Sequence, residues 1–411
     1  MTLGKRSIAA CALVLAAPSG PALAAETSDA GGAEASNVGG AEFTPTPVIK
    51  RVKCIKLCSG KTRVQAGGTV RIMGRTLRDV DTVVFHGGTK TTRDNVSVDA
   101  NSKSNKTLKV KVPLAADTGP LTAWVSKDVG SEPSNSIAVL PPPPPERSAR
   151  LKPSNGPRDR GAPRLETGIS TTKAFFGGAK VRFSYRINDD EPVPVTIELI
   201  NATKDVVVRR WKRSAVEPDT IHTIRWNGQA GRSIKVGQGR YIFRVTAQSS
   251  EGLTARSSDS TEARRDAFDF YGHIFPIRGR HDYGSSGSRF GSGRSGHSHQ
   301  GQDVFARCGT KLVAARSGKV KFNQYHSAAG YYVVVDGYKS KFDYVYMHLQ
   351  KRSPFKAGDR IRTGQMLGRV GETGNAQGCH LHYEMWSAPG WYRGGSPLDP
   401  YRFLKSWDRW S

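Results

Sequence analysis

Apolar and polar residues alternate in many short runs along the chain, and this pattern predicts β-strands. Between residues 48 and 140 the alternation is clear in Leu108–Val112, with glycine pairs in the turns between runs. It returns between residues 165 and 262, as in Val181–Ile187 and Tyr241–Val245. Blocks of this length built from short strands are typical of immunoglobulin-like sandwiches. We therefore expect a mainly β protein with two such domains, residues 48–140 and 165–262.

Segments of unusual composition separate these blocks. Pro141–Pro145 is a run of five prolines, which favours extended polyproline II and predicts a semi-rigid linker over residues 141–164. Residues 25–47 are rich in Gly, Ala, Ser and Thr, so we expect a disordered leader there. Residues 263–411 remain and form a predicted third domain.

The first 24 residues have the three parts of a secretory signal peptide. Lys5 and Arg6 precede the apolar run Ile8–Ala17, and Ala22–Ala24 provides small residues for cleavage. The apolar run is too short for a permanent membrane helix, and no later stretch is long enough to form one. We expect an exported protein of the cell envelope that has no permanent membrane anchor.

The cysteines fit an oxidising compartment. Without residues 1–24 the chain has four of them, and an even number favours the local pairs Cys54 with Cys58 and Cys308 with Cys379. Cys379 could instead bind a metal, because histidines follow it. Its odd offset from both of those histidines turns it to the opposite face of a strand, which argues against this alternative.

Histidines with one residue between them provide the candidate chemistry of the third domain. His380 and His382 can aim both rings at one point only on a β-strand, where alternate residues share a face. His299 and Asp303 are also an even number of residues apart, and Gly301 between them disfavours a helix.

A fifth polar residue, His348, ends the segment Tyr344–Met347, which has the composition of a strand. Together these residues offer more imidazole and carboxylate than one metal ion needs. Catalytic zinc takes three protein ligands and leaves a fourth position for water. Two remaining imidazoles could then accept the proton of the attacking water and stabilise the oxyanion or the leaving amine in amide hydrolysis.

These residues lie in three motifs that resemble those of the lysostaphin- and LytM-type zinc metallopeptidases. The family's H-x-G-x-D motif is matched at His299–Asp303, its aromatic-x-H-L motif at Tyr346–Leu349 and its H-L-H-aromatic-E motif at His380–Glu384. The resemblance extends from about Phe270 to the C-terminus and implies an antiparallel β-sheet peptidase domain. The implied zinc ligands are His299, Asp303 and His382, and the implied catalytic pair is His348 and His380.

Some details of this site stay open. His297 also stands an even number of residues from His299 and could replace it as a ligand, although its spacing to Asp303 fits the motif less well. The Gly-, Ser- and Arg-rich segment 284–296 departs from the family and leaves the floor of the cleft undefined. Glu384 shares the face of His382, so it either hydrogen-bonds an imidazole or lies in solvent. Ordinary surface or core roles are expected for His86, His222, His273, His281 and His326.

The two upstream blocks carry weaker resemblances. Gly68–Gly74 with Val83–Gly88 resembles IPT/TIG domains, and Ile224–Gly228 with Gly237–Val245 resembles the immunoglobulin-like domain of flagellar hook-capping proteins. These resemblances imply spacer or docking modules and identify no ligand.

The formal net charge is +27 at pH 7, which favours polyanionic surroundings. For an exported protein these are anionic cell-wall polymers or lipid headgroups, and a solvated surface with no specific partner is the alternative. Nucleic acid is not expected, because no nucleic-acid fold signature accompanies the charge.

The sequence thus predicts a secreted zinc metalloendopeptidase that hydrolyses peptide bonds in bacterial peptidoglycan. The first alternative is a non-catalytic wall-binding or amidase-activating protein that retains the peptidase fold, and the second is a secreted zinc protease acting on Gly-rich proteins. The presence of all five site residues favours the enzyme, because a binding module has no evident need for them.

Overall fold

A computed structural model describes residues 45–87, 95–145, 147–229, 236–258 and 265–411. The predicted signal peptide and most of the predicted leader lie outside these residues. Within them, no helix is both long enough and apolar enough to cross a membrane. The described chain is mainly β, with one helix near its end, which confirms the predicted fold class.

The first block contains two sheets that share one apolar core. Its strands are β1 Val48–Gly60, β2 Arg63–Arg75, β3 Thr82–Phe85, β4 Val96–Asp99, β5 Thr107–Lys111, β6 Leu121–Trp124 and β7 Ala138–Leu140. One sheet has the order β1–β2–β5 with β7 beside β2, and the other has the order β4–β3–β6. Alternate residues such as Val70, Leu108 and Phe85 are buried between them, as the alternation predicts.

The second block repeats this arrangement. Its strands are β8 Lys152–Pro153, β9 Arg164–Ile169, β10 Lys173–Phe175, β11 Val181–Asn188, β12 Val193–Asn201, β13 Val206–Val216, β14 His222–Trp226, β15 Gly239–Gln248, β16 Thr254–Arg256 and β17 Ala267–Tyr271. The sheet orders are β10–β17–β15–β12–β13, with β16 beside β15, and β14–β11–β9–β8. Phe183, Trp226 and Phe243 lie in their common core. The immunoglobulin-like topology of both blocks and the domain boundaries stay predictions.

Two strands extend the second block beyond its predicted limits. β8 lies inside the predicted linker and pairs with β9. β17 lies beyond residue 262 and pairs with both β10 and β15. Both short strands therefore belong to these sheets, because hydrogen bonds join them to the neighbouring strands. Composition alone did not include them in the second block.

The third domain is built on one large antiparallel sheet. Its strands are β18 His281–Asp282, β19 Gly293–Arg294, β20 His297–Ser298, β21 Gln302–Ala306, β22 Lys311–Val313, β23 Gly318–His326, β24 Gly330–Gly337, β25 Phe342–Leu349, β26 Arg360–Ile361, β27 Met366–Arg369, β28 His380–Ser387 and β29 Pro397–Leu398, followed by helix α1 Tyr401–Trp410. The large sheet has the order β18–β21–β28–β25–β24–β23–β26, with β29 beside β28. β19 pairs with β20 and β22 pairs with β27.

β28 lies inside this sheet, and its side chains alternate between the two faces. Leu381, Tyr383 and Met385 point into the main core, where Leu404 and Trp407 of α1 cover them. The intervening residues of β28 point to the opposite face, because successive residues of a strand alternate. The sheet therefore offers a second face on which polar side chains of β28 can meet those of its neighbours.

Both predicted disulfides are present. Cys54 and Cys58 are joined with a Cα–Cα distance of 5.7 Å, and Cys308 and Cys379 with one of 5.3 Å. The second bond links the residues that follow β21 to the residue that precedes β28. It therefore ties together the two strands that carry Asp303 and His382.

The described residues belong to one unit, and the turns on either side of β26, which we call loop 359–365, are a point of contact between its parts. Arg63 of β2 forms a two-pronged ion pair with Asp359, with Nε 3.0 and 3.1 Å from the two carboxylate oxygens. Gln365 Nε2 donates to the carbonyl of Pro141 at 2.7 Å. The first block and the start of the predicted linker thus contact the same loop of the last domain.

The second block contacts the last domain at the same loop and at the C-terminal helix. Thr363 Oγ1 donates to the carbonyl of Phe176. At the helix, Lys173 Nζ donates to the carbonyl of Trp410 at 3.0 Å, and the Tyr271 and Trp410 rings stack with centroids 4.6 Å apart. The last domain therefore contacts both upstream blocks directly.

Candidate metal centre and active site

Strand register brings the predicted site residues together. β21 and β28 are adjacent and antiparallel, and their register places Asp303 directly opposite His382. His380 lies two residues before His382 on the same strand, so both rings share a face. The prediction that His380–His382 lies on a strand is confirmed. All five predicted site residues are buried, from 5 to 8% exposed.

Three ligand atoms converge at one point. His299, in the turn between β20 and β21, places Nε2 3.1 Å from Asp303 Oδ1 and 2.9 Å from His382 Nδ1. The third side of the triangle, from His382 Nδ1 to Asp303 Oδ1, is 2.8 Å. Among the described residues this group could hold a metal ion.

The neighbours of both rings determine which nitrogen is free for a metal. His299 Nδ1 lies 2.7 Å from the carbonyl oxygen of Arg289, which only accepts, so Nδ1 carries the proton and Nε2 is bare. His382 Nε2 lies 3.0 Å from Glu384 Oε1 and donates to it, so Nδ1 is the nitrogen that could bind a metal in place of a proton. The other oxygen of Glu384 accepts from the indoles of Trp386 and Trp391 at 2.7 and 2.9 Å. The hydrogen-bonding alternative for Glu384 is therefore the one the structure contains.

With these tautomers, two lone pairs and a carboxylate oxygen face one another. Three acceptors repel at such distances unless a positive charge lies among them. A proton on an inner ring nitrogen supplies that charge when no metal ion does, and the pKa values show this. Burial raises the pKa of Asp303, but the hydrogen bonds with His299 and His382 outweigh burial and lower it. Burial lowers the pKa of His382, but Asp303 and Glu384 outweigh it and raise that pKa to about 9. The group therefore favours a cation at its centre.

His348 and His380 lie beside this group with their rings held in a similar way. Their Nδ1 atoms donate to the carbonyls of Thr373 and Gly378 at 2.8 and 2.9 Å, so both Nε2 atoms are bare. The ring centroids are 4.6 Å apart, and His380 Nε2 lies 3.7 Å from Asp303 Oδ1. Burial, and then the neighbouring His380, lower the pKa of His348 to about 4, and burial also lowers the pKa of His380. Both rings are thus neutral at pH 7.

The backbone of His348 adopts an uncommon conformation. Its φ is +58°, in the left-handed region that residues other than glycine seldom adopt. Its N–H donates to the carbonyl of Ala329 at 2.9 Å, outside the regular ladder of β25. Strain of this kind costs roughly 1–3 kcal/mol and is concentrated at functional sites. The ring of His348 lies beside that of His380 at this end of the strand.

The segment 284–296, whose structure the sequence left undefined, supports the site. It contains a 3-10 turn at Ser286–Ser288 and continues into the β19–β20 hairpin. Besides holding His299 through its carbonyl, Arg289 stacks its guanidinium on Tyr401, 3.6 Å from the ring centroid. Arg294 Nη2 lies 3.4 Å from Asp303 Oδ2. Neither arginine belongs to a recognisable motif, so their only signal was their position just before His299.

The other candidates have ordinary surroundings. His297 is exposed, and its Nδ1 lies 3.2 Å from the carbonyl of Ser295, whereas His299 is the histidine that lies beside Asp303 and His382. Both sulfurs of Cys308 and Cys379 are in the disulfide, which removes Cys379 as a metal ligand. Protein hydrogen-bond partners account for His86, His222, His273, His281 and His326.

Beyond the histidines, the same sheet face becomes apolar and aromatic. Tyr332, Val345, Met347 and Trp386 form a buried cluster on it. Tyr392, 63% exposed, packs beside Trp386 with the rings tilted and their centroids 4.8 Å apart. The polar group therefore lies at one end of an apolar surface, an arrangement suited to a ligand with both polar and apolar parts.

An antiparallel β-sheet with a buried His–Asp group and two neutral imidazoles defines a domain with a candidate metal centre. Residues 297–400 match the model of Peptidase family M23. The chain therefore carries an M23 peptidase domain at its C-terminus, and the resemblance to lysostaphin- and LytM-type peptidases is confirmed.

Individual relatives agree with this family. The peptidoglycan DD-endopeptidase ShyC of Vibrio cholerae is 40% identical over 86 residues, 21% of this chain and 19% of that protein. The L-Ala–D-Glu endopeptidase of Bacillus subtilis is 30% identical over 160 residues, 35% of this chain and 48% of that protein. The chain thus spans less than half the length of these curated relatives. A solved structure of the catalytic domain of lysostaphin from Staphylococcus simulans is 28% identical over 31% of this chain and 92% of that one, with a TM-score of 0.27.

Proposed function

We propose that the protein is a secreted zinc endopeptidase that hydrolyses peptide bonds in bacterial peptidoglycan. The observation that carries this proposal is the triangle of His299, Asp303 and His382 beside the neutral imidazoles of His348 and His380. Two curated relatives from Vibrio cholerae are named peptidoglycan DD-endopeptidases, which supports the substrate class. This proposal accounts for all five buried residues, whereas a wall-binding module accounts for none of them.

His299, Asp303 and His382 are the proposed zinc ligands. Two imidazole nitrogens and one carboxylate oxygen form a donor set that catalytic zinc accepts, with a fourth position left for water or substrate. Ligands about 2.1 Å from a tetrahedral zinc are roughly 3.4 Å apart. The triangle has sides of 2.8, 2.9 and 3.1 Å, so small movements of the side chains would admit the ion. Bound there, zinc supplies Lewis acidity toward the scissile carbonyl and a water molecule.

His348 and His380 are the proposed proton carriers. Because their Nδ1–H groups are held by carbonyls, each ring offers its Nε2 lone pair as a base. The low pKa of His348 keeps this base unprotonated at pH 7. A ring that accepts the proton becomes a donor at the same atom. It can then stabilise the oxyanion or return the proton to the leaving amine.

Secretion is part of the proposal. Peptidoglycan lies outside the cytoplasm, and residues 1–24 have the parts of an export signal. Disulfides such as Cys308–Cys379 persist in oxidising compartments and are rare in the cytosol. Export would therefore bring the peptidase domain to its substrate and allow this bond to form.

Digestion of purified peptidoglycan sacculi tests the proposal. The zinc-loaded full-length protein should release soluble fragments, and mass spectrometry of those fragments identifies the peptide bond that is cut. His380→Ala, which leaves the three proposed ligands intact, is the matched inactive control. No release from any wall preparation would reject the enzyme in favour of a wall-binding or activating protein. Cleavage of Gly-rich proteins with intact sacculi would reject the substrate class.

A further inference from the structure

The first sheet of the molecule has an unusual distribution of charge. β1, β2 and β5 together contain nine Lys and Arg residues and no Asp or Glu. Alternate residues of these strands are buried in the core of the first block. The remaining residues point away from that core, because successive side chains of a strand alternate between faces.

Strand pairing arranges the outward cations in rows. Lys53 of β1 lies opposite Arg71 of β2, and Arg71 lies opposite Lys109 of β5, so three cations are consecutive neighbours across the sheet. In the next row, Lys56 and Lys111 lie on either side of a threonine of β2. Adjacent strands are about 4.8 Å apart. Like charges directly opposite each other at this spacing destabilise a sheet.

The row on the other side adds Arg51, beside Met73 and Thr107. We call the six cations the basic face: Arg51, Lys53, Lys56, Arg71, Lys109 and Lys111. Within the described part of the chain, no acidic side chain pairs with any of them. Their mutual repulsion is therefore not balanced by carboxylates of the described residues.

We propose that the basic face binds a linear polyanion with regularly spaced phosphate groups, lying across the three strands. Such a chain would place anions between the rows of cations and would release counterions from both partners. Four of the six cations are lysines. A lysine binds phosphate as a point charge and imposes no fixed donor geometry, which suits a flexible phosphate chain. This inference goes beyond the proposed peptidase activity and does not depend on it.

The chemistry of the face disfavours two other polyanionic partners. Single-stranded nucleic acids are held by aromatic rings on which the bases stack, and the non-cationic positions of the three rows are Thr69, Met73 and Thr107. Attachment of a protein to a bilayer surface is strengthened by apolar side chains inserted beside the charges. Ile55, 39% exposed at a bulge of β1, is a single aliphatic side chain beside the face. The basic face therefore offers a partner charge complementarity, without rings for base stacking or a large apolar area.

Titration of the full-length protein with long-chain inorganic polyphosphate tests the proposal. The face variant is Lys53→Gln/Arg71→Gln/Lys109→Gln. Its control, Lys127→Gln/Arg160→Gln/Lys204→Gln, removes the same charges at exposed positions elsewhere. We expect the face variant to bind on the order of tenfold more weakly, with a shallower salt dependence, because fewer counterions are released. The control should stay within about twofold of the wild type, because it leaves the basic face and its counterions intact.

A measurement of stability distinguishes weaker binding by the face variant from a loss of folding. The face variant should unfold at the same temperature as the wild type or a higher one, because the change removes cross-strand repulsion. Arg71→Lys keeps the charge and should bind like the wild type. Equal weakening of the face variant and the control would overturn the proposal. Tighter binding of oligothymidylate or of phosphatidylglycerol vesicles than of polyphosphate would also overturn it, and would identify nucleic acid or membrane as the partner.

Discussion

At the scale of single residues, the candidate metal centre depends on which ring nitrogen carries each proton. The carbonyl of Arg289 and the carboxylate of Glu384 hold protons on the outer nitrogens, so the inner ones are those that could bind a metal. Glu384 is fixed in turn by two indole donors. Such outer contacts orient metal-binding imidazoles and increase their basicity. The five predicted site residues could be found from three motifs, which the structure brings together, whereas the indole donors follow no motif and could not be predicted.

The first prediction concerns the proposed ligands. His382→Ala should lose most of its zinc, because two ligands and water hold this ion poorly compared with three. His297→Ala is the matched control, and it should keep about one zinc per chain because its ring is exposed and points elsewhere. Elemental analysis of both purified variants measures this. Full zinc in His382→Ala, or loss in His297→Ala, would show that the ligand set is wrong.

The second prediction separates metal binding from chemistry. His348→Ala and His380→Ala should keep zinc, because neither ring belongs to the triangle of ligand atoms. Each should slow hydrolysis of sacculi by on the order of a hundredfold or more, because a proton carrier is lost. Zinc content and initial rates measured on the same preparations distinguish the two effects. Wild-type rates in both variants would mean that other groups carry the protons.

At the scale of elements, the period of two along a strand explains which predictions were accurate. His380 and His382 share a face because β28 is a regular strand inside the sheet. The period of two does not apply to His299, because this residue lies in a turn before β21. The path of the turn brings its ring to Asp303. Turn geometry depends on tertiary contacts, here with Arg289 and Tyr383, and spacing alone does not contain them.

The third prediction tests this turn. A Cβ at Gly301 would lie 2.6 Å from the carbonyl oxygen of Tyr383 and 2.7 Å from His382 Nε2. Gly301→Ala should therefore displace His299 from His382, weaken zinc binding about tenfold and destabilise the domain by roughly 1–3 kcal/mol. Gly293→Ala is the control, because a Cβ at that position would have no neighbouring atom within 4 Å. Zinc titration and thermal unfolding measure both effects, and equal behaviour of the two variants would contradict the prediction.

The fourth prediction concerns the bond between β21 and β28. Cys308 and Cys379 are 71 residues apart in sequence, whereas Cys54 and Cys58 are separated by 4. Removing the long-range bond by a double Cys→Ser change should cost roughly 4 kcal/mol, because it frees a long loop in the unfolded chain. Removing the short one should cost less. Peptide mapping without reduction should first find the Cys308 and Cys379 peptides linked, and freely alkylated thiols in the native protein would reject the bond.

At the scale of the whole molecule, the sequence predicted a chain of separate modules, and the structure adds direct contacts among them. Composition marks residues 141–164 as a linker, but Leu140 just before it is buried in the core of the last domain. Contacts of this kind join residues far apart in sequence. They do not produce a local repeat of apolar and polar residues, so they cannot be predicted from residue spacing.

The fifth prediction tests whether the first block is held against the peptidase domain. Asp359 is 2% exposed and forms its ion pair with Arg63, whose side chain is 14% exposed. Arg63→Ala leaves a buried carboxylate without its cation, so the free energy of unfolding should fall by roughly 3 kcal/mol. Arg210→Ala removes a similar pair with Glu198 from the surface, where the arginine side chain is 52% exposed, and should cost less than about 1 kcal/mol.

Urea unfolding followed by tryptophan fluorescence compares these two variants, and small-angle scattering reports whether Arg63→Ala expands the molecule. A small, equal loss of stability in both variants, with unchanged dimensions, would mean that the contact at loop 359–365 contributes little. A large loss confined to Arg63→Ala would mean that the peptidase domain relies on the first block for part of its stability. The upstream block would then be a structural support of the candidate active site as well as the carrier of the basic face.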